Sequence, residues 1–266
     1  MDYRCPLCQK KLLKSNRVLK CDNQHSFDLA KSGYVHLLPT HGQKISGDNK
    51  TMIQARTRHL ESGFYQNLVD CLIPLFHSLY DHPFTVADCG CGEGYYTRNI
   101  SQHCKHADIW GFDLSKEAIL HASKHDPQSH YAISSVFDLP LFDKSIDVVL
   151  SIFAPIATEE FLRILKPDGF LITVSPAFYH LLALKQVLYD EPYLNKPFML
   201  DHSSLQLVQE ETLCSQIQLT TQDQIQNLFM MTPYYYKTPS EGKMKLAQLE
   251  SLNIETAFLI QVWQKI

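Results

Sequence analysis

The run Asp88-Cys89-Gly90-Cys91-Gly92-Glu93-Gly94 follows an apolar stretch, FTVADC, and opens EGYYTRNISQHC, which reads as a helix. Glycines at alternate positions let a backbone turn sharply after a strand and approach a ligand closely. The helix that follows adds its free N–H groups at the same point. A strand, a tight glycine turn and a helix, in that order, commit this part of the chain to a unit of a parallel sheet.

The alternation continues downstream. DIWGFDLS reads as a second strand and SKEAILHASKH as a helix with Ser115 at its N-cap. HYAISSVF and SIDVVLSIFA are further strands, EEFLRILKPDG a helix stopped by Pro167 and Gly169, and FLITVSP a fifth strand. Such alternation predicts an α/β, Rossmann-like architecture, a parallel sheet covered by helices on both faces. From Thr51 to Tyr80 apolar residues recur at helical spacing, and Gly63 divides the stretch into two helices. Residues 177–215 read as mainly helical, with loops around Pro192 and Pro197, while IQLTTQ and AFLIQVWQKI are suited to two late strands.

A chain of 266 residues suits one large domain and one small one. The expected division is a small module over 1–40, a linker with helices over 41–80, and the α/β domain over 81–266. Within the linker, THGQKISGDNK has almost no apolar content. No apolar run reaches membrane-spanning length and the N-terminus lacks an apolar signal core, so a cytoplasmic protein without membrane contact is expected. The net charge of -4 is unevenly spread. Residues 1–60 hold 11 Lys and Arg against 4 Asp and Glu, and the remainder 13 against 24. A basic module on an acidic body suits a polyanion such as RNA; a solvated charged surface is the plainer explanation.

Three of the 8 cysteines fall within the first 21 residues. Cys5 and Cys8 form a CxxC knuckle, and Cys21 and His25 follow in the spacing C-x2-C-x12-C-x3-H. Four such ligands close a tetrahedron around zinc, one ion per chain, with no open position and hence a structural role. So short a module buries too little surface to fold unaided, so the metal is expected to stabilise it. A redox CxxC belongs at a helix start in a thioredoxin-like pattern, which is absent. His36, His41 and His59 lie outside the spacing and are expected to be solvated or to face RNA.

The pattern DxGxGxG resembles the first motif of class I S-adenosylmethionine methyltransferases, in which this loop wraps the methionine part of the cofactor. That makes Asp88, Gly90 and Gly92 candidate cofactor residues. Asp113 ends the next strand, where an acidic side chain accepts hydrogen bonds from ribose hydroxyls. Dinucleotide enzymes use the same device, so Asp113 alone does not discriminate. The segment ending in Leu165-Lys166-Pro167-Asp168-Gly169 resembles that family's later motifs. Cys89 and Cys91 read as small packing residues.

At greater length the chain resembles the bacterial 23S ribosomal RNA guanine-N1 methyltransferases. The residues that carry this are CPLC, the C-x3-H followed by SFDLAKSGYVHLLP, MIQAR, SGFYQNL, DCGCGEGYYT, FDLSKEAI, IFAP, LKPDGFLITVSP, HLLALK, FMMTP and IQVWQ, in order over nearly the whole chain. The resemblance implies methyl transfer from S-adenosylmethionine to N1 of a guanine in a 23S ribosomal RNA hairpin. It implies zinc at Cys5, Cys8, Cys21 and His25, cofactor contacts from Tyr65, Gly92, Glu93 and His180, and a homodimer. Asp168 stands where glycine is common, and Phe137-Asp138 where polar or basic residues are expected.

Guanine N1 lies on the Watson–Crick edge, so the base must be unpaired or flipped and held by stacking. Its proton must also leave, and no general base can be named; His180 is a candidate that the family pattern makes a cofactor contact. Phe153-Ala154-Pro155 lies just past the fourth strand, suited to shaping a base pocket. Of Tyr234, Tyr235 and Tyr236, at least one should be exposed. Two other functions use the same fold: a small-molecule methyltransferase, which would not need the basic module, and a non-catalytic ribosome-assembly factor, against which the intact glycine loop and Asp113 argue.

Overall fold

The computed structural model describes residues 1–39, 47–196 and 198–266. His41, Pro197 and most of the polar segment expected as a linker lie outside the described residues. The N-terminal module holds β1 (Leu13–Ser15), β2 (Val18–Lys20) and β3 (Ser26–Asp28), an antiparallel sheet in that order, and β4 (Val35–His36). Two helices follow, α1 (Lys50–Glu61) and α2 (Gln66–Leu79). Asn49 caps α1 by accepting the Met52 N–H at 3.1 Å, and Gly63 breaks the pair in the left-handed region at φ +81.

The α/β part runs β5 (Phe84–Cys89), α3 (Tyr95–His103), β6 (Ala107–Asp113), α4 (Lys116–His125), β7 (His130–Ile133), β8 (Ile146–Ile152), α5 (Thr158–Ile164) and β9 (Leu165–Pro176). It continues with α6 (Leu182–Leu188), β10 (Leu205–Leu219), α7 (Gln222–Met231), α8 (Tyr234–Lys237), α9 (Ser240–Ala247) and β11 (Leu252–Lys265). The large sheet has the order β10-β11-β9-β8-β5-β6-β7-β4. The strands from β4 to β9 are parallel, and β11 and β10 join antiparallel at one end. The chain steps one way from β5 to β6 and the other way from β5 to β8. Helices leave both faces at that reversal, so a crevice opens at the carboxyl ends of these strands.

Two expectations are corrected. Residues 177–215 are not mainly helical: α6 is short, and 205–215 belong to the 15-residue strand β10. That strand is an exposed sheet edge, so its Gln and Glu content imitates a helix, and pairing with β11 overrides it. Helix α5 ends at Ile164, before Pro167 and Gly169, because proline holds the residue before it extended and β9 begins at once. The register shift between Ile146 and Val148 accommodates residues 166–169, with Asp168 at φ +60.

The module is not a bead on a tether. β4 leaves the small sheet and pairs with β7, Val35 opposite Ala132 and His36 opposite Ile133. Tyr3, Cys5, Leu12, Leu19 and Cys21 share one buried cluster with Trp110, Phe112, Leu139 and Phe161. The Tyr3 ring meets Trp110 edge-on at 4.6 Å, and the Arg4 N–H donates to the Pro140 carbonyl at 2.8 Å. Tyr3→Ala should therefore destabilise the whole chain by about 3 kcal/mol in urea unfolding. A loss confined to the module, with the main transition unmoved, would contradict the shared core.

Candidate functional site

The crevice is a cavity of about 700 Å³. Tyr65, Asp88, Gly90, Gly92, Glu93, Asp113 and His180, all singled out from the sequence, line it together. A space of this size encloses a nucleoside-bearing ligand. The glycines are dictated by steric fit. A Cβ on Gly90 would stand 2.4 Å from the Ala154 Cβ just past β8, and one on Gly94 2.7 Å from the Ala122 Cβ of α4. Both have positive φ, +86 and +83.

Asp88, at the end of β5, is buried and accepts the Thr97 O–H at 2.6 Å. Burial pushes its carboxyl up to about 7; the Thr97 bond opposes this, and Asp113 and Glu93 reinforce it. Asp113 bridges two turns, accepting the Gly92 N–H at 3.1 Å and the Ser115 N–H at 2.7 Å. Burial raises its pKa, against the pull of those two N–H groups and of Arg56. Burial likewise raises Glu93, with Arg56 opposing. Ser115 caps α4, accepting the Ala118 N–H, and donates its O–H to the Asp48 carbonyl at 2.7 Å.

On the opposite wall Tyr65 is buried edge-on to Phe258 at 4.9 Å and to His180 at 6.3 Å. Its hydroxyl has no hydrogen-bond partner among the described residues. A buried donor left open on a cavity wall fits a polar ligand atom. His180 accepts the Ala257 N–H on Nδ1 at 3.2 Å. Burial, with Lys185 nearby, pushes its pKa down to about 3. The ring is thus neutral with its proton on Nε2, a donor rather than a base.

Phe153 occupies the left-handed region at φ +53, a strained conformation for an aromatic residue, and is half-exposed. Its ring lies 5.9 Å from His180 with 24° between the planes. Phe137 and Tyr236 are exposed on the same cavity, while Tyr234 is buried, so the tyrosine run divides as expected. Cys89 and Cys91 are buried with thiols raised well above their usual range by burial, in keeping with packing.

His59 corrects an expectation: it is buried, not solvated. Its ring packs 5.0 Å from both Phe64 and Tyr65, and burial pushes its pKa down to about 3. His36 is exposed. Arg56 and Asp48, which no sequence motif marks as site residues, also line the cavity and pair at 2.5 Å. Only their folded proximity marks them, since one arginine on an amphipathic helix is unremarkable.

The four residues expected as metal ligands converge near the N-terminus. Donor atoms of Cys5, Cys8, Cys21 and His25 all lie within 4.8 Å of one another. Individual separations are 3.5 Å from Cys5 Sγ and from Cys21 Sγ to His25 Nδ1, and 3.6 Å from Cys8 Sγ to Cys21 Sγ. A zinc–sulfur bond of about 2.3 Å sets tetrahedral edges of this length, so the donor set fits zinc. Two tight turns build it: the Gln9 N–H returns to the Cys5 carbonyl and the Gln24 N–H to the Cys21 carbonyl. Gln9 and Gln24 both have positive φ.

Comparison with known proteins adds two family matches. Residues 3–46 match a zinc-ribbon family described as "RlmA, N-terminal", and residues 87–173 match a methyltransferase domain. The chain is 34% identical to YxjB of Bacillus subtilis, a candidate 23S rRNA (guanine-N1)-methyltransferase, over 95% of this chain and 93% of that one. It is 36% identical to the 23S rRNA (guanine(748)-N1)-methyltransferase of Streptomyces fradiae, over 70% and 67%. In fold it is similar to the structure of a candidate type II methyltransferase from Anaeromyxobacter dehalogenans, with a TM-score of 0.51 and 16% identity over 72% and 94%.

Metal analysis of the purified protein should return about one zinc per chain, and Cys8→Ser should lower it. Chelation should change the fluorescence of Trp110, which packs on Tyr3; an unchanged spectrum would argue that the module holds without metal. The Asp88 carboxyl titrates at 3.8 unfolded and near 7 folded, so its contribution to stability is complete below about 4 and lost as pH rises through about 7. Urea unfolding of the ligand-free protein should weaken over that window by up to about 1.4 kcal/mol per pH unit. Asp88→Asn should make this slope shallower, with the remainder coming from Asp113 and Glu93, whose pKa values burial also raises.

Proposed function

The chain belongs to the family of bacterial 23S rRNA (guanine-N1)-methyltransferases, and on that premise we propose that it transfers methyl from S-adenosylmethionine to N1 of one guanine in a 23S ribosomal RNA hairpin. The observation that carries the reading is the cavity in which a glycine turn, buried carboxylates and exposed aromatic rings meet. S-adenosylmethionine supplies a methyl group on a sulfonium, whose charge makes that carbon strongly electrophilic. In this reading Tyr65, Asp88, Gly90, Gly92, Glu93, Asp113 and His180 hold it, with Asp113 accepting from ribose hydroxyls.

A guanine pairs through N1, so it must leave its stack to be methylated. Phe153, strained and half-exposed, presents a ring face for the extruded base, with Phe137 and Tyr236 on the same rim. Closing the base over the cavity excludes water and aligns N1 with the methyl group. Cys5, Cys8, Cys21 and His25 hold a structural zinc. The module around them leaves Lys10, Lys14, Arg17, Lys20 and Lys31 exposed and outside any ion pair among the described residues, which suits phosphate contacts. The division into a recognition module over 1–40, a connecting segment over 41–80 and a transferase domain over 81–266 belongs to the same proposal, as do a homodimer and a cytoplasmic location. Among the described residues no helix is long and apolar enough to cross a membrane.

Incubation with labelled S-adenosylmethionine and unmodified 23S ribosomal RNA, followed by nucleoside mass spectrometry, should yield 1-methylguanosine at one hairpin position. A different methylated nucleoside would refute the guanine-N1 assignment. Phe153→Ala should lower kcat/KM for RNA about tenfold or more while cofactor affinity holds.

A further inference from the structure

The cavity is walled by four carboxylates, Asp48, Asp88, Glu93 and Asp113. Among the described residues, Arg56 is its sole lysine or arginine. Arg56 projects from α1, outside the sheet, and Nη2 reaches Asp48 Oδ2 at 2.5 Å and the Met231 carbonyl at 3.5 Å. Nη1 rides over the glycine turn: a Cβ on Gly92 would lie 3.6 Å from it. Burial acts to lower the Arg56 pKa, but Glu93, Asp48 and Asp113 outweigh it and the net direction is upward. The guanidinium is therefore a permanent cation, oriented in advance by Asp48. It carries five N–H donors, and Nε and Nη1 have no acceptor among the described residues.

S-adenosylmethionine ends in an α-amino carboxylate. A carboxylate entering a cavity already lined by acidic groups is repelled unless a fixed cation receives it. Arginine does this as a fixed cation with directed N–H donors, and here Nη1, beside the glycine turn, is a donor still open among the described residues. We propose that Arg56 is the receptor for the carboxylate at the methionyl end of the cofactor, with Asp48 as the counter-ion that fixes the guanidinium plane. This rests on the cofactor reading above and adds a residue to it. The glycine at position 92 then has a second use, since a side chain there would meet the guanidinium.

The test is calorimetric binding to the full-length, zinc-loaded chain, wild type against Arg56→Gln and Arg56→Lys. Three ligands are compared: S-adenosylmethionine, S-adenosylhomocysteine and 5′-methylthioadenosine, which keeps the nucleoside and sulfur but has no carboxylate. Arg56→Gln should weaken the first two by about 10- to 100-fold and leave the third within about twofold. Arg56→Lys should fall between, retaining the charge without the directed Nη1 donor. Unweakened binding of methylthioadenosine also reports that the variant is folded. An equal loss for all three ligands would overturn the proposal, since Arg56 would then act by ordering the neighbouring carboxylates. Unchanged homocysteine-ligand binding would overturn it as well. A wild-type chain that binds none of the three would remove the cofactor reading and this inference together, whereas binding without RNA methylation would remove the RNA assignment and leave Arg56 in place.

Discussion

Everything at the site follows from how closely the turn after β5 approaches the end of β8. With no side chain at Gly90, the backbone comes within a methyl group's reach of Ala154. That contact sets the turn against the end of β8, and Asp88 at its base is buried while still lining the cavity. On the far side of the turn, Gly94 lets α3 start against α4. Phe153, the residue before Ala154, is driven to a positive φ in the same corner, with its N–H still bonded to the Val174 carbonyl at 2.9 Å. Backbone strain of this kind persists only where the surroundings over-determine it. Here the sheet on one side and the rings of His180 and Phe258 on the other do so.

The second organising fact is electrostatic. Asp88, Glu93 and Asp113 each lose hydration on burial, and each has its pKa raised as a result. Backbone N–H groups and Arg56 return part of what water supplied. The region stays rich in negative charge and poor in compensating donors, a suitable setting for a ligand with both a cationic sulfonium and ribose hydroxyls. The opposite wall is of another character. Tyr65 and His180 are buried among aromatic rings, His59 packs on Tyr65 outside the cavity lining, and the two histidines are held neutral by burial. One side of the cavity is thus suited to charge and the other to flat, weakly polar surface.

The zinc module joins this arrangement by sharing its core. Cys5 and Cys21 are both metal-ligand candidates and members of the buried cluster beneath the sheet. Metal binding and packing onto β6 and β7 therefore stabilise one unit, and a module too small to fold alone acquires a partner surface. The position of β4 at the sheet edge makes the connection covalent in direction and hydrogen-bonded in register.

Much of this was legible in the chain itself. The glycine turn, its acidic flanks, the strand–helix alternation and the Cys-Cys-Cys-His spacing are local patterns, and local patterns follow from backbone geometry and ligand stereochemistry that operate over a few residues. β10 was not legible, because an edge strand exposes polar residues and its pairing partner lies far along the chain. Neither was the burial of His59, since one histidine in an amphipathic helix says nothing about what will cover it. Arg56 and Asp48 stood out only once α1 had folded across the glycine turn. The class of sheet, the turn that opens it and the four residues whose spacing suits a metal were all readable from the chain alone. Tertiary structure alone decided which charged groups share one desolvated space, because burial and long-range proximity belong to the packed chain and to no segment of it.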